Sequence, residues 1–304
     1  MDPRDEALVR LGVLLKESGY RFTTITPASH HRVNARPENA VARSLRDVFG
    51  WSRPFPRTLL PPAMLAALET AGCIVDEGAL LRSSVRFSSD AGALFVHSAF
   101  PTSGSDAVFF GPDTYRFLAL LERLQPRARR AVDIGCGSGA GGLRIANACD
   151  DILLADINDV ALRYARVNAA LNGVMNASAV YSDVLAGIDG EIDLIISNPP
   201  YLIDRDARVY RDGGGRFGEG LSVEIVRQSL ARLRSGGRLI LYSATAFVDG
   251  VDAFHTAVEP LLAAHDIDVR YEELDPDVFG AELGSGVYVT ADRIAVIALD
   301  VRVC

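Results

Sequence analysis

Apolar residues recur three and four positions apart over residues 4–18, at Ala7, Leu8, Leu11, Leu14 and Leu15, and the pattern stops at Gly19. That spacing puts one apolar stripe along a helix. Pro61-Pro62 opens a shorter helical pattern over residues 63–71, followed by two alternating runs, 80–87 and 93–100, with Ser88-Ser89-Asp90-Ala91-Gly92 between them. The two runs predict one hairpin. Pro101-Thr102-Ser103-Gly104-Ser105 interrupts both periods, which predicts a boundary between a smaller α+β domain over residues 1–104 and a second domain over residues 105–304.

From Ala131 onward short apolar runs alternate with helical patterns to the end of the chain. The predicted strands cover residues 131–134, 152–155, 178–181, 192–196, 238–242, 267–271 and 294–300. Two helices are well bounded: 158–171, with Asn158 placed to cap it and Gly173 to stop it, and 221–233, stopped by Ser235-Gly236-Gly237. This order predicts an α/β fold with a doubly wound sheet and helices on both faces. The run 192–196 is broken only by Asp193 and reads as a buried strand that must end before Pro199, because proline has no N–H for the ladder.

Two loops at strand ends carry the candidate chemistry. In Asp133-Ile134-Gly135-Cys136-Gly137-Ser138-Gly139-Ala140 the glycines permit a sharp strand-to-helix turn that brings backbone N–H groups to a ligand. Gly135, Gly137 and Ala140, with Asp156 further on, also satisfy a dinucleotide fingerprint. Asp133 argues against that reading, since a carboxylate there would oppose a pyrophosphate and favour a cation. The second loop, Ser197-Asn198-Pro199-Pro200-Tyr201, fixes an amide oxygen and two carbonyls and follows them with a planar ring. Asn198 Oδ1 and the Pro199 carbonyl can each accept one N–H of an –NH2 on a flat conjugated group, with Pro200 and Tyr201 beside it and Tyr201 stacking on its plane.

Asn198-Pro199-Pro200-Tyr201 resembles the motif of class I S-adenosylmethionine (SAM)-dependent N-methyltransferases, a group that includes the release-factor glutamine methyltransferases and enzymes that methylate nucleic-acid bases. The resemblance covers residues 108–304 and implies a seven-stranded sheet whose last strand inserts antiparallel beside the fifth. It further implies SAM as cofactor, with Asp133 near the cationic amino-acid end and the backbone of Gly135, Cys136, Gly137 and Gly139 around it. By the same resemblance Asp156 is expected to take the ribose hydroxyls, Ile157 to pack on adenine, Asp183 to accept the adenine amino group with the Val184 backbone alongside, and Asn198 to lie at the methyl. Pro112 and Thr114 belong to a segment similar to the one that caps the cofactor pocket in the glutamine enzymes. That segment departs from the family at Gly111, usually Arg, and Tyr115, usually Glu. Gly218-Glu219-Gly220-Leu221 is similar to the family's Gly-Asp-Gly-Leu, whereas Leu241-Tyr242-Ser243-Ala244 is not what those enzymes usually show.

The resemblance favours a protein glutamine as acceptor, in a release-factor-like partner. An RNA or DNA base, a small-molecule amine and a non-catalytic SAM-binding module are the alternatives. The chain has 304 residues and a formal charge of −8, yet the first hundred residues carry 12 basic and 10 acidic side chains against 19 and 29 in the rest. The front of the chain, winged-helix-like in pattern, is therefore where a polyanionic partner would bind, and Arg32, Arg36, Arg43, Arg46, Arg53 and Arg57 cluster there with His30 and His31. The start Met1-Asp2-Pro3-Arg4 lacks a signal-peptide pattern and no apolar run approaches the roughly 20 residues that span a bilayer, which predicts a cytoplasmic protein. Cys73, Cys136, Cys149 and Cys304 are scattered, so neither a disulfide framework nor a metal site is expected.

Overall fold

The computed structural model describes residues 1–204, 208, 210–284 and 286–304. Helix α1 (Pro3–Glu17) starts at Asp2, whose side chain accepts the Arg4 N–H at 2.7 Å, and it buries Leu8, Leu11 and Leu15 completely. Burial of each such leucine contributes about 1.5–3 kcal/mol. Helices α2 (Pro27–Asn34), α3 (Leu45–Phe49) and α4 (Pro62–Thr70) follow, and α1 lies against α4.

Strands β1 (Ile74–Glu77), β2 (Leu80–Ser83), β3 (Val85–Asp90) and β4 (Ala93–Ser98) form two hairpins, β1 with β2 and β3 with β4. The single expected hairpin is corrected by this finding. The run 80–87 divides at Ser84, where the buried Ser83 hydroxyl bonds the Val85 N–H and carbonyl and turns the chain. Its first half pairs backward with β1 through a turn in which Gly78, at φ +78°, donates to Asp76 Oδ1. The second turn is Ala91-Gly92 alone, so Ser88, Ser89 and Asp90 belong to the strand.

Helix α5 (Pro112–Leu124) leads into β5 (Ala128–Ile134), α6 (Ala140–Ile145), β6 (Cys149–Asp156), α7 (Asp159–Leu171), β7 (Ala177–Tyr181) and β8 (Ile192–Ser197). Next come α8 (Gly220–Arg232), β9 (Leu233–Val248), the short β10 (Val251–Asp252), α9 (Ala253–Ala263), β11 (Ile267–Asp275) and β12 (Arg293–Val303). The sheet runs β7-β6-β5-β8-β9-β12-β11, with β10 paired to β9. Strands β5 to β9 are parallel, and β12 inserts antiparallel between β9 and β11, as the resemblance implies. All seven expected strands are present. Ser235-Gly236-Gly237 lies inside β9, where the register against β8 shifts, while the α8 helix stops at Arg232.

All six residues of β8 are buried. Asp193 is tolerated there because it accepts the Arg130 N–H at 2.7 Å and pairs with Arg234. The strand order reverses between β5 and β8, which leaves a crevice at their carboxyl ends. The two candidate loops follow those two strands.

Residues 1–104 are docked on the outer face of α7. Leu8, Leu11, Phe49 and Phe87 share one apolar cluster with Ala161, Tyr164, Val167 and Leu171. Gly12 permits the close approach, since a Cβ there would lie 2.5 Å from a Leu171 methyl. Lys16 donates to the Leu171 carbonyl and to Asn172 Oδ1, both at 2.9 Å, and Arg163 pairs with Asp5. The fully buried Asn168 bonds the Val96 N–H and carbonyl on β4 and the Ser138 carbonyl in the glycine loop. Among the described residues no helix is long and apolar enough to cross a membrane.

Candidate active site

The glycine loop leaves β5 through Gly135, Gly137 and Gly139, at φ +65°, +53° and +77°. These angles exclude ordinary side chains at low cost. Cys136 N–H donates to the Ala155 carbonyl at 3.0 Å, tying the loop to β6. The Cys136 thiol is pushed well up by burial, reinforced by Asp156 and Asp133, so it stays protonated and the residue contributes backbone only.

Asp133 is buried at the end of β5, and its Oδ2 accepts the Gly142 N–H at 2.7 Å. Burial, with a smaller push from Asp156, raises its carboxyl to about 7 against that hydrogen bond. Asp156, at the end of β6, accepts the Gly137 N–H on Oδ2 and the Asn158 N–H on Oδ1, both at 2.9 Å, and burial raises its pKa too. No protein cation pairs with either carboxylate among the described residues. Asn158 caps α7 as expected, accepting the Val160 N–H at 2.9 Å.

At the end of β8 the Ser197 hydroxyl donates to the Ile134 carbonyl at 2.8 Å, which holds the two loops together. Asn198 is half-buried and lines one cavity with Asp133, Gly135, Cys136, Gly137 and Thr114. Its amide makes no protein hydrogen bond among the described residues. Pro199 is buried and Pro200 half-buried. The next glycines brace the motif: a Cβ at Gly213 would meet the Pro200 carbonyl at 2.7 Å, and one at Gly218 would meet the Tyr201 carbonyl at 2.3 Å.

Residues 117–249 match the family model of the methyltransferase small domain. This part of the chain is a methyltransferase small domain. Among curated proteins, the release factor glutamine methyltransferase of Deinococcus radiodurans is 34% identical over 195 residues, 60% of this chain and 66% of that one. The ribosomal RNA small subunit methyltransferase C of Shewanella loihica is 37% identical over 120 residues, 39% of this chain and 32% of that one. The matched segments thus leave a third or more of each relative uncovered. The structure of Methanocaldococcus jannaschii Trm5 in complex with adenosine aligns with a TM-score of 0.52 at 16% identity, covering 72% of this chain and 56% of that one, a likeness of fold.

Family and fold imply SAM as the cofactor of this methyltransferase domain, and the residues present fit it. Asp133 is a buried carboxylate that lacks a protein cation, and the amino-acid end of SAM supplies one. Ile157, expected against adenine, is 46% exposed at the end of β6, an apolar side chain left open. Asp183 is exposed beyond β7, and Val184 next to it is buried at φ +51°, its carbonyl bonded by the Ser182 hydroxyl. Ile157, Asp183 and Val184 lie outside the cavity that holds Asp133 and Asn198, at the ends of the adjoining strands.

Thr114 Oγ1 accepts the Gly111 N–H at 3.2 Å and caps α5 behind Pro112, which sets the cavity's far wall. Tyr201 does not offer an open ring face. It is buried, tilted against Tyr242 and Phe279 at centroid distances of 6.4 and 6.0 Å, with its phenol toward Asp113. Tyr115, where the resembling family has Glu, ties the domain to the front of the chain: its hydroxyl accepts the Thr24 N–H at 3.1 Å. Phe109, Phe117 and Ser138 also line the cavity. Ser138 stands in the glycine loop singled out in the sequence, whereas Phe109 and Phe117 carried no site signal there.

Proposed function

We propose that this chain is a cytoplasmic SAM-dependent N-methyltransferase acting on a planar amide or amino nitrogen. The observation that carries this reading is the unbonded Asn198 amide, held by two prolines in the same cavity as Asp133. Bound there, SAM supplies an activated methyl group. Asp133 holds its ammonium, the glycine loop approaches it with backbone alone, and the Asn198 and Pro199 oxygens accept the two N–H groups of the acceptor. Those bonds turn the nitrogen lone pair toward the methyl and favour the more pyramidal nitrogen of the transition state, worth about 2–4 kcal/mol by analogy with oxyanion donors. No general base is required, because the nitrogen becomes acidic once it carries the methyl and its proton leaves afterwards.

A protein glutamine is the acceptor best supported by the motif and by the likeness to release factor glutamine methyltransferases. The segment over residues 218–221 supports it further: Gly218 packs on the Tyr201 carbonyl, and Glu219 accepts the Arg216 and Phe217 N–H groups. An RNA base is the second reading. It is favoured by Arg32, Arg36, Arg43 and Arg46, which are exposed on residues 1–104 and whose guanidinium groups have no carboxylate partner among the described residues, as suits phosphate contacts. In both readings residues 1–104 recognise the partner. Transfer of labelled methyl from SAM into the protein, RNA, DNA and small-molecule fractions of a lysate tests this. Label in a protein band supports glutamine and label in RNA supports the base. Absence of label from every fraction contradicts the proposal.

A further inference from the structure

The acceptor's planar group needs a ring face, and Tyr201, buried against Tyr242 and Phe279, has none to give. Two aromatic rings share the cavity with Asn198. Phe117 is 3% exposed and packed into the core. Phe109 is half-buried, and among the described residues the ring stacked on it is that of Tyr210, at 5.7 Å with 12° between the planes.

The position of Phe109 depends on Gly111. A Cβ at residue 111 would fall 2.4 Å from Phe109 Cζ and 2.7 Å from Cε1, so any side chain there would push the ring away. The backbone of Gly111 is extended and open to other residues, which leaves room for the ring as the physical reason for a glycine at this place. The arginine that the resembling family usually carries there is thus replaced by the face of an aromatic ring. Tyr210 follows the motif in the chain and is tethered by its hydroxyl, which donates to the Thr102 carbonyl at 2.8 Å.

We propose that Phe109 is the stacking platform for the acceptor's planar group, and that Tyr210 occupies that face until the acceptor takes its place. The proposal rests on the N-methyl-transfer reading and applies to an amide or a base, since both present a flat π surface. Replacing one stacked ring by another planar group keeps the contact with Phe109, so the exchange costs the hydrogen bond to Thr102, which water restores, and the contact of the Arg208 guanidinium over the Tyr210 ring at 5.8 Å. Stacking on an aromatic side chain is worth enough to be read in KM.

The test compares wild-type protein with Phe109→Leu, Gly111→Ala and Tyr210→Ala, using labelled SAM and, as probes, the total protein and total RNA of a lysate. SAM affinity is measured separately by calorimetry. In the fraction that takes Asn198-dependent label, Phe109→Leu and Gly111→Ala are expected to raise the acceptor KM about 10-fold to 100-fold, with kcat changed less and SAM affinity within about threefold. Tyr210→Ala is expected to lower that KM. An unchanged KM in Phe109→Leu, or a loss confined to SAM affinity, overturns the assignment of Phe109. A KM raised by Tyr210→Ala overturns the displacement by making Tyr210 part of the acceptor's own contact. Absence of Asn198-dependent label from both fractions instead sinks the methyl-transfer reading, and this proposal with it.

Discussion

The loops that follow β5 and β8 stand side by side and are built in opposite ways. In the glycine loop the polar groups are already engaged: Asp133 holds the Gly142 N–H, Asp156 holds the Gly137 N–H, and Asn168 holds the Ser138 carbonyl. What is left over is two buried carboxylates with no cation partner among the described residues, their ionised forms disfavoured by burial. In the Asn-Pro-Pro-Tyr loop no charge is present, and what is left over is hydrogen-bonding capacity on Asn198. The difference matches two tasks. Under the proposed function, one loop binds a cation through a desolvated carboxylate, and the other accepts N–H groups from a neutral acceptor without attracting the cofactor's charge.

Variants that remove one property and keep the other test this division. Asp133→Asn removes the charge while preserving shape, and SAM affinity should fall about 30-fold to 100-fold, the value of a charge-assisted contact in a buried site. Equilibrium titration reads it. Breaking the shared anchor comes next: Asn168→Ala leaves the Val96 N–H and two carbonyls unpaired, and denaturant unfolding should show a loss of roughly 2–4 kcal/mol. In wild-type protein the Asp133 carboxyl, pushed up to about 7, should make SAM bind about eightfold more tightly at pH 7.5 than at pH 6, because ionisation rises across that interval. Asp133→Asn should be flat. The sign for stability is opposite: the folded pKa lies above the unfolded value of 3.8, so the empty protein loses the contribution of this group as pH rises from about 4 to about 7, and Asp133→Asn abolishes that loss. The smallest effect is expected at the exposed Asp183, where alanine should weaken SAM binding by about threefold to tenfold, visible in the same titration.

The sheet was legible because its strands are short apolar runs that alternate with helical patterns and polar turns, and every one of the seven is present. The glycine loop was legible for a related reason: positive φ demands glycine, and a carboxylate at a strand end is written in one residue. Strand β1 was not, because Ile74-Val75-Asp76-Glu77 is a largely exposed strand with little alternation to read. Residues 243–246 extend β9 with small, mildly polar side chains, Ser243, Ala244, Thr245 and Ala246, that read as the end of a strand yet are buried against β12. The role of Tyr201 was misjudged for a tertiary reason, since its ring is covered by Tyr242 and Phe279, residues distant in sequence. The pairing of Phe109 with Tyr210 spans about a hundred residues and has no local pattern at all.

The proposed function assigns binding and transfer to different loops of one cavity. Its most direct test is Asn198→Ala, with SAM affinity by calorimetry and labelled-methyl transfer into lysate fractions measured on the same preparation. SAM affinity should stay within about threefold of wild type and transfer should fall by about 100-fold to 1000-fold, the cost of losing one preorganised transition-state contact. Transfer at the wild-type rate, or a loss of SAM binding that accounts for all of the lost transfer, would contradict it.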